Sequence, residues 1–254
     1  MDPLDAAAIR VPGVRVRVVA ACASTNTALM AEAPATPELL AAETQKAGRG
    51  RRGRRWHARP GLDIAFSLAR PIRRPARELA ALSLVAGVAA ARALRALGAG
   101  AASLKWPNDL VTQAGKLGGI LVETRSHGGG SLAVLGIGIN GPVDASLQRR
   151  LRRPVAFLEE LVSPMPSRNA VIERIARELM RALDAFEAQG LDAVREEWLS
   201  LHAHDGQRLR VRLADGRTMT GIADGLAEDG GLRLRTRSGV RAVRTGRVVA
   251  ARAA

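Results

Sequence analysis

Apolar residues alternate with arginine over residues 14–19, the period of a strand that keeps one face in water. Ser24, Thr25 and Asn26 then offer a side-chain cap for a short helix through residue 32. Residues 39–44 and 62–68 read as the next two strands, the first of them buried. Leu79, Leu82, Ala86, Ala89, Ala93 and Leu97 fall on one face of a long helix that Gly98 ends. Strands are expected over residues 103–105, 118–124 and 132–139, the last two joined by a turn centred on Gly128-Gly129-Gly130. Ile172, Ile175, Leu179, Leu183 and Phe186 form the stripe of a second long helix stopped at Gly190, and residues 192–201 form a shorter one.

After residue 205 the texture changes. Leu209, Val211 and Leu213 alternate with arginines, and turn dipeptides recur at Asp215-Gly216, Asp229-Gly230 and Ser238-Gly239. Short strands joined by tight turns predict a small barrel. The chain is therefore expected to divide into a larger domain of residues 1–205 and a smaller one of 206–254. No internal repeat breaks this picture.

Composition narrows the class. No stretch is read as a membrane span, because the apolar run of residues 79–91 continues into Arg92 and Arg95 within the same helical pattern. No signal-peptide core opens the chain. The single cysteine, Cys22, excludes an internal disulfide and the common structural zinc patterns. The expectation is a cytoplasmic protein without a membrane partner.

The formal charge of +15 raises the question of a nucleic-acid partner. However, 36 of the 39 cationic residues are arginine, spread along the whole chain, which is the imprint of a GC-rich coding bias. DNA is therefore not expected as a partner. The same bias makes the exceptions informative. Lysine stands only at 46, 105 and 116, and where arginine has filled nearly every cationic position a retained lysine points to chemistry that a guanidinium cannot do. Lys105 and Lys116 carry that argument; Lys46 does not.

Three segments hold candidate chemistry. Gly48-Arg49-Gly50-Arg51-Arg52-Gly53 matches the dinucleotide fingerprint letter for letter, but that fingerprint must open a helix, and here Pro60-Gly61 leads into a strand. The segment reads instead as a loop that wraps an anion, with glycines for close approach, arginines as donors and Trp56 to cover a ligand. A solvated basic loop or a nucleic-acid patch is the competing reading. Lys105-Trp106-Pro107-Asn108-Asp109 forms a rigid turn between strands and presents a carboxylate beside lysines, with Lys116-Leu117-Gly118-Gly119 following. Gly136-Ile137-Gly138-Ile139-Asn140 is a strand with two glycines, and is weak alone.

Taken in order, Ser24-Thr25-Asn26, Gln45 with the arginine–glycine loop and Trp56, the Lys105–Asp109 turn, the run of 116–123 and that of 136–140 resemble the biotin protein ligase family. The resemblance covers essentially the whole chain. Two departures are Arg59-Pro60-Gly61, where a Ser-Pro-x-Gly step is usual, and Gly118, where alanine is usual; neither removes a charged group.

The resemblance implies an α+β fold: a mixed sheet flanked by helices, akin to class II tRNA-synthetase cores, followed by an SH3-like barrel. It implies biotin as substrate, ATP with magnesium, and a biotin carboxyl carrier protein of acetyl-CoA carboxylase or another biotin-dependent carboxylase as partner. By the same carry-over Lys116, Asp109 and Arg51 are catalytic, with Lys116 bridging carboxylate and phosphate. Ser24, Thr25, Asn26, Gln45, Arg49, Gly50, Arg51 and Lys116 hold biotin, and Arg52, Arg54, Trp56, Asn108 and Asn140 meet the nucleotide. Asp109 is expected to orient the acceptor lysine or accept its proton. The twenty or so residues before Ser24 are too few for a helix-turn-helix module, so a ligase without operator binding is expected. Metal ligands are not identified, and a homodimer is compatible with the sequence. A lipoate ligase and a basic nucleic-acid-binding module stand as alternatives; three Phe, three Trp and no Tyr leave the latter without the usual stacking platforms.

Overall fold

The computed structural model describes residues 3–127, 129–151 and 153–252, so Gly128 of the expected glycine turn lies outside the described residues. The first half of the chain forms β1 (Arg15–Cys22), α1 (Thr25–Glu32), β2 (Glu38–Gln45), β3 (Ile64–Ile72), α2 (Leu82–Ala96), β4 (Ser103–Lys105), β5 (Asp109–Thr112), β6 (Gly115–His127) and β7 (Gly130–Ile139). There follow α3 (Ala145–Leu151), α4 (Arg168–Gln189) and α5 (Arg195–Leu201). Last come β8 (Arg208–Leu213), β9 (Thr218–Leu226), β10 (Leu232–Thr236), β11 (Gly239–Val243) and β12 (Gly246–Arg252).

The first seven strands make one mixed sheet in the order β1-β2-β3-β7-β6-β5-β4. Only β1 and β2 run parallel, and α1 is the crossover between them. The pleat sorts side chains by period two. Ala133, Leu135, Ile137 and Ile139 of β7 enter the main core under α2 and α4, while Leu132 and Val134 join Leu29 of α1 on the opposite face. Gly136 and Gly138 continue that second face, and their missing side chains open the space used below. The last five strands form an antiparallel sheet in the order β11-β10-β9-β8-β12, in line with the SH3-like expectation. Its Leu209, Val211, Leu232 and Leu234 are continuous with the main core.

The two sheets are tied beside β4. Trp106 Nε1 donates to Gly230 O at 3.2 Å, Ala203 N donates to Leu104 O at 2.8 Å, and Arg195 reaches the carbonyls of Ala227 and Glu228. This packing brings the start of β12 against the larger sheet.

Several elements differ from the expectation. β5, of four residues, and α3, with only Leu147 buried, are too short to show a period. β3 starts later than expected and runs on through Pro71. Pro71 is paired with Leu132 of β7 but lies beyond Ala69, where the β2 pairing ends, so β3 is an edge on that side at the proline. The stretch Ala76–Ala96 does have the length and mean hydropathy, 1.5, of a membrane span, against the sequence reading. Most of it is buried, packed between the sheet and α4 as a core helix.

Candidate active site

The second face of the large sheet holds a cleft of about 460 Å³. Its floor is β6 and β7, paired Gly119↔Gly138 and Leu121↔Gly136. Its walls are the start of α1, the end of β2, the arginine–glycine loop, the β4–β5 turn and residues 246–249 of β12. Glycine at 136 and 138 is required by close approach. A Cβ at 136 would collide with Asn26 Oδ1, and one at 138 with the indole of Trp56. Gly118 serves the sheet instead, since its Cβ would stand 2.6 Å from Gly138 O, and Gly119 is the one of the pair that faces the cleft.

One end of the cleft is a network of neutral hydrogen-bonding groups. Ser24 caps α1 by accepting from Thr27 N, which turns the next two side chains inward. Thr25 N donates to Gln45 Oε1 at 2.9 Å, and Thr25 Oγ1 lies 3.2 Å from the same oxygen and 2.6 Å from Ser67 Oγ. Ser67 Oγ donates to Asn26 Oδ1 at 2.6 Å, and Asn26 Nδ2 donates to Leu121 O and Glu123 Oε2, each at 3.1 Å. Two hydroxyl protons serve three oxygen–oxygen contacts here, so the network retains capacity to accept a donor from a ligand. Ser67 was not expected from the sequence, where it sits inside an apolar run; its only signal is that it falls on the same pleat face as Gly136.

The loop folds across the cleft. Trp56 N donates to Gly48 O at 2.9 Å, Gly50 N donates to Arg54 O at 2.7 Å, and a 3-10 turn fills residues Arg51–Gly53. Arg49 Nη2 pairs with Glu123 Oε1 at 2.9 Å, beside the neutral network. Arg51 reaches Asn108 Oδ1 at 3.4 Å, and burial pushes its pKa down from the guanidinium value. Arg52, in the left-handed region at φ 58°, contacts Thr245 Oγ1 of the smaller sheet at 3.5 Å. Gly50 and Arg54 also line the cleft. Arg55 Nη2 donates to Lys46 O at 3.1 Å. Trp56 lies over Gly138, with its Nε1 buried and, among the described residues, unpartnered.

At the centre Lys116 Nζ donates to Asp109 Oδ1 at 2.5 Å and sits 5.8 Å from the Trp56 ring centroid. Asn108 Nδ2 donates to Ile120 O at 2.7 Å, locking the turn onto β6. Asn140 is placed differently from the expectation of a nucleotide contact. It is buried, and its Nδ2 donates to Lys116 O and Ala156 O, each at 3.0 Å, so it braces the backbone behind Lys116. Among the described residues the cleft lining carries nine cationic side chains and one carboxylate, Asp109, a balance that suits anionic ligands. Arg153 and Arg247 belong to this set and were invisible among 36 arginines. Among the described residues no group of three His, Cys, Asp or Glu side chains is arranged to hold a metal ion.

Residues 19–140 match the biotin/lipoate A/B protein ligase family, and residues 204–249 match the biotin protein ligase C terminal domain. The chain is 35% identical over 194 residues to the bifunctional ligase/repressor of Escherichia coli, covering 76% of this chain and 60% of that one. It is 34% identical over 226 residues to the biotin–[acetyl-CoA-carboxylase] ligase of Mycobacterium tuberculosis, covering 85% and 81%. Among solved structures, the biotin protein ligase from Aquifex aeolicus in complex with biotin and ATP superposes with a TM-score of 0.79 at 25% identity, over 94% of this chain and 99% of that one.

Proposed function

The chain belongs to the biotin/lipoate A/B protein ligase family, and on that premise we propose that its cleft joins biotin to AMP and then passes the biotinyl group to a lysine of a carrier protein. The carrier is the biotin carboxyl carrier protein of acetyl-CoA carboxylase or a related carboxylase. One observation carries the reading: a network of hydroxyls and amides at one end of the cleft, with Lys116 and the arginine loop at the other. Two residues of strand separate Leu121↔Gly136 from Gly119↔Gly138, so the two ends lie roughly 7 Å apart along the floor.

The neutral end suits a ureido ring, which offers two N–H donors and a carbonyl. Ser24, Thr25, Asn26 and Gln45 hold it, with Ser67 behind them. An apolar ring such as the dithiolane of lipoate would leave these groups unpaired, at about 1–3 kcal/mol for each buried one.

The charged end answers the problem of the first step, in which a carboxylate and the α-phosphate of ATP, both anions, must meet in line. Fixed cations screen that repulsion and need no reorganisation as charge moves. Lys116, oriented by Asp109 and by the backbone clamp of Asn140, stands between carboxylate and phosphate. Arg49, Gly50 and Arg51 contact biotin and the adenylate, while Arg52, Arg54, Trp56 and Asn108 face the nucleotide. Magnesium enters as part of the substrate, on the phosphates of ATP. The product is a mixed anhydride that water would destroy, and a loop lying across the cleft keeps water out.

The test is to incubate the protein with Mg–ATP, a carrier domain and either biotin or lipoate, and to weigh the carrier intact. A biotinyl mass gain is expected. A gain with lipoate alone, or with neither acid, overturns the reading.

A further inference from the structure

Lys105 is one of three lysines among 39 cationic residues, and the first half-reaction leaves it without a role. It ends β4, in register with Asp109 across the turn, and lines the cleft. Asp109 is held by Lys116, and among the described residues Lys105 Nζ has no hydrogen bond or ion pair. The other cations of the lining are arginines, which do not deprotonate, and Lys116, which the ion pair with Asp109 already engages. The second half-reaction needs what these lack, because the acceptor lysine arrives as an ammonium and must become an amine.

We propose, on the ligase reading above, that Lys105 is the base of the transfer step. Neutral Lys105 Nζ takes one proton from the acceptor ammonium. The freed electron pair forms the N–C bond to the biotinyl carbonyl, and the C–O bond to the phosphate breaks with its electrons going to AMP. The second amine proton leaves to solvent as the amide forms, and Lys105 returns its own proton the same way.

The surroundings favour the neutral form. Burial pushes the Lys105 pKa down, and Lys116, Arg247 and Arg153 push it the same way against the attraction of Asp109. His204, the remaining titratable neighbour, is itself pushed down by burial and so adds no charge behind it. Arginine at 105 would reproduce the positive field without the base, which accounts for lysine surviving the compositional bias.

The experiment supplies preformed biotinyl-AMP to the whole protein with a carrier domain and follows single-turnover transfer from about pH 7 to about pH 10, near the free-lysine pKa of about 10.4. In the unsubstituted protein the rate should rise and then level off well below the upper limit. Lys105→Arg should be slower by ~10²–10⁴-fold at neutral pH, the range for a lost general base, with the deficit shrinking about tenfold per pH unit as the acceptor loses its proton unaided. Three results overturn the proposal: Lys105→Arg at full speed, a deficit independent of pH, or an unsubstituted rate that climbs unbroken to about pH 10. The last needs no variant to fold. If the unsubstituted protein makes no biotinyl-lysine from the adenylate, the ligase reading itself fails and takes the proposal with it.

Discussion

Asn140 holds Lys116 from behind. Its Nδ2 donates to Lys116 O at 3.0 Å, and its own N–H donates to Leu117 O at 2.9 Å. Replacing it with leucine takes that donor from the buried Ala156 O and from Lys116 O, which keeps the Ala156 N–H. Asn140→Leu should lose about 1–3 kcal/mol of stability in a urea titration. Biotin-dependent ATP–pyrophosphate exchange should fall as well, because Lys116 is no longer fixed. A variant with full exchange activity would show that the clamp does not set the position of Lys116.

Lys116 itself should be the most sensitive position in adenylate formation. In the proposed role Lys116 is the cation between two anions, and Lys116→Ala should then slow pyrophosphate exchange by ~10²–10³-fold, the cost of one preorganised electrostatic donor. Lys116→Arg keeps the charge but not the compact ammonium that fits beside Asp109, and should recover only part of the rate. Full recovery would mean that charge alone suffices there.

Gly138 and Trp56 compete for one volume, so Gly138→Ala should push the indole off the cleft floor. Trp106 and Trp198 are each only 2% exposed, and Trp56 is the half-buried one, so the change is legible in tryptophan fluorescence. A red-shifted emission is expected, with weaker biotin retention by about 1–3 kcal/mol. An unshifted spectrum would place the methyl group elsewhere.

His202 is buried against Trp198, ring centroids 4.6 Å apart, with neither nitrogen hydrogen-bonded among the described residues. Burial, reinforced by nearby His204, pushes its pKa down to about 3. Unfolded histidine titrates near 6.5, so between those values the unfolded chain binds a proton that the folded chain refuses. The stabilisation is complete above about pH 6.5 and is lost as pH falls through the window, by up to about 1.4 kcal/mol per unit. His202→Phe keeps the stack and deletes the proton. Its guanidinium midpoint should fall less than that of the unsubstituted protein between pH 7 and pH 5; equal losses would assign acid sensitivity to other groups.

A net charge of +15 should steer an acidic carrier domain toward the cleft. Raising salt should then slow carrier biotinylation steeply while biotin-dependent pyrophosphate exchange changes little. Equal sensitivity of the two steps would remove steering as the cause.

Ser24, Thr25 and Asn26 read by themselves only as a helix cap, and the family resemblance alone pointed them to a ligand; the structure gathers them at the neutral end of the cleft. The loop stood out by composition, which left a solvated basic or nucleic-acid patch open beside an anion-wrapping loop. Ser67, Arg153 and Arg247 did not stand out, because a serine in an apolar strand and two arginines among 36 carry no local signal. Asn140 shows the reverse failure. Its place at the end of a glycine strand suggested a ligand, and only the packing of residues 154–156 against β6 shows that its donors are committed to the backbone.

By itself the sequence determined what local physics can encode: the 3.6- and 2-residue periods of the long elements, the change of texture near residue 205, the glycines of β7 and the lysines that resisted an arginine-rich composition. Only the tertiary structure decided which of these meet. Strand order places β7 between β3 and β6, so that Ser67, Gly136 and Leu121 share a face, and the packing of the smaller sheet against β4 brings Arg247 to the same cleft. Such pairings depend on contacts between residues far apart in the chain, which no local pattern records.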